Sequence, residues 1–515
     1  MQYVGSQACI TCHEAQHASF RHTGMGRSMA EVDLSREPPD ATFDHLPSRC
    51  RYEVRRKDGQ IWHRELLLTG DSQEVLLQEY PVKYVTGSGK HSLTYLVEDD
   101  GFLVESPITW YASRQAWGMS PGYDVPKHGG FQREIGESCL VCHAGQVRAE
   151  GKSHHRIHVG EASIGCEQCH GPGELHLKRH ERKELPAATT EDDTIVNPVR
   201  LSRELSEAIC QQCHLRASAA VLRKGKSYSD FRPGLPLQDF RVDYALDLPN
   251  QEMTVVGHVE QMHQSRCYLG SPTFSCLTCH NPHSEPRAQE RKAHYVKVCT
   301  TCHQPAHCRV SPAERQQQSP ENDCTTCHMP STPTDIPHLA FTHHRVAIHK
   351  KENPETDVST STETGTLRPV LDIAVLSEHE QNRSLGMAYL ELSNRSEGRR
   401  KIHFQQQALA LLSAVHSPAK PDGAVATSIA RLRSRMGLPD VDRFAQSALS
   451  DPDLTGADLS DAIFSLADAR FRQGRYEEAI VTLEPLWKLR RSSMPWLLRA
   501  QCEEMLNNEA ATEHA

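Results

Sequence analysis

Aromatic residues make up 6% of this 515-residue chain and hydrophobic residues 37%, low values for a protein of this length. Apolar side chains alone give a thin core, so another apolar material is needed to fill it. No run of eighteen apolar residues occurs, which argues against a membrane-spanning helix. The opening MQYVGSQACI has no basic region followed by an apolar stretch, so no export leader is visible in it. Net positive charge is also missing: the formal charge is −9, which argues against a nucleic-acid partner. A phosphate-binding loop fails at TGSGKH (86–91), where Tyr84 replaces the first glycine and His91 the Ser/Thr. That stretch reads as a loop delivering His91.

Cysteine and histidine are abundant instead, with 18 and 31 copies. They are arranged as C-x-x-C-H seven times: Cys9-Cys12-His13, Cys139-Cys142-His143, Cys166-Cys169-His170, Cys210-Cys213-His214, Cys276-Cys279-His280, Cys299-Cys302-His303 and Cys324-Cys327-His328. Independent placement of these residues would give about 0.04 copies. A zinc site needs four convergent ligands and no histidine fused to the second cysteine. A dithiol redox centre needs one or two C-x-x-C copies, and an adjoining histidine is optional. Covalent c-type haem attachment accounts for every feature. Two thiols on one helical turn add to the two haem vinyl groups, and the next residue presents an imidazole to the iron. Seven covalently attached haems are expected, with His13, His143, His170, His214, His280, His303 and His328 as proximal ligands. Their faces would supply the missing apolar core.

A proximal imidazole fills one face of the iron, so a sixth ligand must arrive at the opposite face. Residues 1–350 carry 27 of the 31 histidines, a surplus large enough for seven. The candidates are His22, His91, His176, His258, His283, His338 and His344. His17 or Met25 competes with His22, His263 with His258, and His343 with His338 and His344. A histidine three to six residues behind a motif, such as His283 or His176, cannot easily pass round the macrocycle to its own iron. It can reach a neighbouring one, so the haems are expected to pack in contact. His154, His155 and His158 read as propionate contacts or as exposed. Cys50, Cys267, Cys308 and Cys502 lie outside the motifs; Cys267 and Cys308 read as a disulfide or, like the others, as free buried thiols.

The fold expected is mostly α, with a haem-organised, loop-rich core. Residues 1–40 form a first haem-binding segment and 126–350 hold haems two to seven. Between them the turn pairs Asp58-Gly59 and Asp100-Gly101 mark hairpins, and a small antiparallel β insertion is expected over 41–125. KENPETDVSTSTETGT opens a polar linker at 351–368. Residues 369–515 then carry apolar positions at helical spacing, with Leu466, Ala467, Gly474, Tyr476 and Ala479 at tetratricopeptide positions. Arg470 and Arg491 depart from that pattern, and an ordinary helical bundle is the alternative.

Taken together, GSQACITCH, CLVCHAG, IGCEQCHGPGELH, CHNPHS and CTTCHMP resemble the multihaem cytochrome c superfamily. That group includes the tetrahaem carrier of nitrifiers, hydroxylamine oxidoreductase and pentahaem nitrite reductase. The closer resemblance is to multihaem cytochromes fused to C-terminal tetratricopeptide repeats in environmental bacteria. It implies electron transfer along the haems, with the repeats docking a redox partner protein. The alternative is a multihaem oxidoreductase acting on nitrite, hydroxylamine or a sulfur oxyanion at one open haem. No lysine-ligated CxxCK motif supports that alternative. Thioether attachment occurs outside the bacterial cytoplasm, so a periplasmic or extracellular location is expected. The chain given is then either a mature or trimmed one or has a misassigned start. The oligomeric state is left open.

Overall fold

The computed structural model describes residues 1–70, 73–183, 191–215, 217–247, 257–319, 322–331, 342–349 and 365–506. Nine strands form its largest element: β1 (Met29–Glu31), β2 (Ala41–His45), β3 (Cys50–Lys57), β4 (Gln60–Leu68), β5 (Glu74–Thr86), β6 (Ser92–Asp99), β7 (Phe102–Tyr111), β8 (Ala116–Met119) and β9 (Arg133–Glu134). β2 to β8 follow one another as an antiparallel meander, while β1 adds to β5 and β9 to β7. Both sequence-marked turns are two-residue hairpins with positive φ at each position, 53° and 73° at Asp58-Gly59 and 49° and 79° at Asp100-Gly101. Such turns match the right-handed twist of the strands they join.

The meander curls until β2 lies beside β8, where the Trp117 indole N–H donates to the Pro39 carbonyl at 2.9 Å. Inside lie Tyr52, Val54, Ile61, Tyr95, Val97, Val104 and Ile108, all fully buried. This large, nearly closed antiparallel barrel replaces the small insertion expected over 41–125, and with it the mostly α fold expected gives way to a β-barrel followed by a helical region. Its strands run from Met29 to Glu134, so the haem-flanking segments contribute β1 and β9. The missed piece was chiefly β5. It carries Pro81 in mid-strand, where proline normally argues against a central strand. Here Pro81 stands opposite Trp62 as the last β5 partner of β4, and β5 then turns to pair with β6 and β1.

Two smaller sheets follow: β10 (Gln146–Ala149) with β11 (Ile157–Glu161), and β12 (Ala219–Leu222), β13 (Arg241–Leu246) and β14 (Leu367–Pro369) in that order. β14 lies at the end of the stretch read as a linker, whose residues 351–364 fall outside the described residues. The C-terminal region is helical. Glu378–Asn394 pairs with Gly398–Val415, Gly423–Arg435 with Val441–Leu449, and Gly456–Arg472 with Tyr476–Leu483; Ser493–Met505 follows. Ser377, Asp422 and Ser492 accept backbone N–H groups at three helix starts, the usual capping chemistry. At Gly386 a Cβ would stand 2.8 Å from Leu412 Cγ, so only glycine lets the first two helices approach this closely.

The helices share a core with the small sheet of the motif-bearing part of the chain. Val221, Val242, Tyr244, Leu246 and Leu367 pack with Tyr389, Phe404, Leu412 and Ile429, and the Tyr244 hydroxyl meets Ser384 Oγ at 2.8 Å. A second contact joins the last helices to the barrel. Arg490 donates to Glu134 Oε1 and Asp461 Oδ1, both at 2.7 Å. Arg491 bonds the Phe131 carbonyl and the Tyr80 hydroxyl, both at 2.8 Å, and pairs with Asp99. Arg491, a departure from the repeat pattern, is thus a docking residue. His155 is fully buried at this contact, its Nε2 accepting the Arg491 N–H at 3.1 Å.

Removing the Tyr244 ring should cost about 3–5 kcal/mol, the usual range for emptying a buried aromatic site. Tyr244→Ala is expected to lower the denaturation midpoint with helical and β signals lost together. Separate transitions for the two signals would show that the helices fold as an independent unit.

Candidate functional site

Each C-x-x-C pair lies on a short helical turn. The turns are Glu137–Leu140, Glu167–His170, Cys276–Cys279 and Thr325–His328, the ends of Arg203–His214 and Arg291–Thr300, and the start of Ile10–Phe20. Spacing of three places both thiols on one helix face. The helix then stops or breaks at the histidine: His13 has non-helical φ/ψ, and Gly171 leaves the helix with φ 74°. That break frees the imidazole to point away from the thiol turn.

The histidine rings meet across motifs. His13 faces His176 with ring centres 6.4 Å apart, His170 faces His283 at 5.9 Å, His214 faces His258 at 5.9 Å, and His280 faces His344 at 6.2 Å. Interplanar angles are 26°, 5°, 12° and 28°. A metal-bound imidazole nitrogen sits about 2 Å from its metal, so two imidazoles on opposite sides of one ion put their ring centres about 6 Å apart. All four spacings suit a shared ion, and the residues present fit c-type haem.

Protonation states suit ligation as well. His170 Nδ1 donates to the Val196 carbonyl at 2.8 Å, His328 Nδ1 to Ala347 at 2.9 Å, His344 Nδ1 to Thr342 at 3.0 Å, and His176 Nδ1 to Asp192 Oδ2 at 2.7 Å. A proton held on Nδ1 leaves the Nε2 lone pair for a metal and orients the ring. Burial, with His344, His214 and His280 alongside, pushes His258 down to about 2, and burial chiefly pushes His344 down to about 4. Burial also lowers His170, His214 and His280. These imidazoles are neutral at ordinary pH, as a ligand must be.

The thiols show which motifs adjoin. The Cys9 thiol neighbours that of Cys166, Cys142 that of Cys213, Cys210 that of Cys276, and Cys299 that of Cys324. Motifs two, three and four are further knit by Gln168, whose amide donates to Val141 and Ala144 carbonyls at 3.4 Å, and by Gln212, which donates to Gln168 O at 3.1 Å. Among the described residues no disulfide joins Cys267, Cys308 or any other cysteine.

The remaining candidates are placed as follows. His22 is exposed in a turn, and His91 is half-buried at the β5–β6 turn. Glu285, just behind His283, accepts the Gly24 N–H at 2.7 Å and pairs with Lys90, holding both turns against the fifth motif. His338 lies outside the described residues. The four pairs do not include His143, His303 or His328; Ser28 Oγ holds the His143 carbonyl at 2.7 Å, and His303 is exposed.

Several organising residues escaped the sequence reading. Glu167, buried inside the third motif, accepts N–H groups from Val4 (2.9 Å), Gly5 (2.7 Å) and Gly173 (2.7 Å). Ser6 Oγ accepts the Cys166 N–H at 2.8 Å. Together they fasten the first motif to the third. Arg241 bonds the Gln212 and Gln211 carbonyls at 2.9 and 3.3 Å, closing the fourth motif's turn. A carboxylate between two motif cysteines was the only available signal for Glu167. Asp192 and Arg241 carry none, because their partners are distant in sequence.

One stretch of the chain matches a known family. Residues 273–307 match the doubled CXXCH motif. The match spans the fifth and sixth motifs, indicates a c-type cytochrome domain, and implies at least two covalently bound c-type haems. That chemistry fits an extracytoplasmic protein. No curated protein and no solved structure matches the chain. Among the described residues no helix is long and apolar enough to cross a membrane.

Glu167→Ala should strip three backbone N–H groups of their buried acceptor. Hydrogen exchange at Val4, Gly5 and Gly173 is expected to accelerate by about a hundredfold, corresponding to about 2–3 kcal/mol of lost local protection. Unchanged exchange at these amides would mean that the N-terminal segment is held by other contacts.

Proposed function

We propose that this protein is a multihaem cytochrome c that carries electrons along seven covalently bound haems outside the cytoplasm, in the periplasm or beyond. The four cross-motif histidine pairs carry this reading. Each joins a motif histidine to a histidine brought from elsewhere, as an iron closed on both faces requires. Cys9/Cys12, Cys139/Cys142, Cys166/Cys169, Cys210/Cys213, Cys276/Cys279, Cys299/Cys302 and Cys324/Cys327 would hold the haems, with the adjoining histidines as proximal ligands. His176, His283, His258 and His344 would close the second faces at motifs one, three, four and five. Bound haem supplies a one-electron iron couple, whose potential depends on axial ligands and burial.

The residues of the chain supply contact and order. Thiol and glutamine contacts place motif one against three, three against two and four, four against five, and six against seven. The Cys276–Cys279 turn lies against Arg291–Thr300, which carries Cys299. Seven groups packed in that order form a continuous conductor from motif one to motifs six and seven. The helical hairpins resemble tetratricopeptide repeats in sequence and would dock a redox partner. The oxidoreductase alternative requires one iron with an open face.

Two measurements test this reading. Intact mass should correspond to seven haems on the chain, and a zinc-loaded protein without covalent haem would overturn the assignment. His283→Ala should keep that mass while one iron becomes high-spin with a shifted potential. A variant with every iron still low-spin would remove His283 from the ligand set. A wild-type high-spin iron that turns over nitrite or hydroxylamine would favour the oxidoreductase.

A further inference from the structure

The charge of this chain is unevenly distributed around its motifs. Overall it is acidic, with a formal charge of −9. Between residues 285 and 319, however, six Lys/Arg stand against three Asp/Glu. Two of those acids are already engaged, one by a lysine from outside the segment and one in a helix cap. Glu285 pairs with Lys90, and Glu314 closes the capping box of Pro312–Gln318 with Ser311. The basic side chains Arg287, Arg291, Lys297 and Arg309 are exposed.

This lobe encloses the sixth motif. Cys302 and His303 are exposed, as is every residue from 300 to 307. Motifs three and four contrast with it. Cys169, Cys213, His170 and His214 are all partly covered, and Glu167, Gln211 and Gln212 between the cysteines are buried. Motif six touches motif seven through Cys299 and Cys324 and lies far along the order of contacts from motif one. It is therefore a terminal position where the array meets solvent inside a basic surface.

We propose that the 285–319 lobe is an electron port, docking an acidic face of a partner redox protein over the sixth motif. The proposal rests on the haem reading above and adds a place and a charge for the exchange. Charge complementarity supplies the occupant. An acidic protein is steered to a local basic patch, while the surrounding negative charge repels it from other orientations. That arrangement selects one docking pose, which a uniformly acidic surface could not.

The test uses the full haem-loaded chain and two probes. For electron exchange, the dithionite-reduced protein is oxidised by ferricyanide, an anion, and by hexaammineruthenium(III), a cation, at increasing ionic strength. The fast ferricyanide phase should slow as salt rises, opposite to the behaviour set by the net charge. Arg291→Glu/Lys297→Glu should slow that phase by about tenfold at low salt and reverse its salt dependence, leaving the haem spectrum and the ruthenium phase at least as fast. For binding without electron transfer, acetylation of Lys297 is followed by mass spectrometry with poly-L-glutamate present. Protection at Lys297 supports the port. A ferricyanide rate that rises with salt, or a charge-reversed variant with unchanged kinetics and footprint, overturns it. Protection by anionic vesicles but not by poly-L-glutamate overturns the choice of a protein partner. A chain that carries no haem fails the earlier reading alone, and the Lys297 footprint still reports on the docking surface.

Discussion

A histidine fused to a thiol pair can serve only one face of the group those thiols hold, and the opposite face must be served from elsewhere in the chain. The architecture around the motifs follows from that constraint. His176, the third residue of the helix Glu174–Glu181, meets His13 rather than its neighbour His170, and His283 meets His170 rather than His280. Each such exchange ties two motifs together, so distant segments are drawn into one array. Glu167, Gln168, Gln212 and Arg241 then fix the motif turns against each other through backbone groups.

The barrel and the helices act as a frame for this array. The barrel has its own apolar interior and reaches the motifs through β1 and β9, the strands nearest to them in sequence. The helices contact both parts, sharing a core with the small sheet of β12, β13 and β14 and locking Arg490 and Arg491 onto the barrel. An aromatic content of 6% suits this division. The apolar side chains are concentrated in the barrel and the helices, and the motif segment is comparatively poor in them.

The sequence made some of this legible and hid the rest for physical reasons. The motifs, and the surplus of histidines behind them, follow from spacing that is local in the chain. The two I′-type hairpins were legible because Asp-Gly is a local signal. Barrel size was not, because β5 carries Pro81 and because β1 and β9 are only three and two residues long. Closure of β2 on β8 is a long-range event that no short window contains. The choice of partner for each histidine is non-local in the same way: His176 and His258 stood out as candidates, but nothing near them points to His13 or His214. Arg491 illustrates the opposite case, since a departure from a repeat pattern marked a residue with work outside the repeat.

The central claim is that each of the four histidine pairs spans one iron. Anomalous diffraction at the iron edge, on crystals of the purified chain, tests it most directly. The account predicts iron peaks lying between the rings of His13 and His176, His170 and His283, His214 and His258, and His280 and His344, each beside its own C-x-x-C turn. Iron at those turns bound on its second face by water or by other side chains, or no iron between the paired rings, would contradict it.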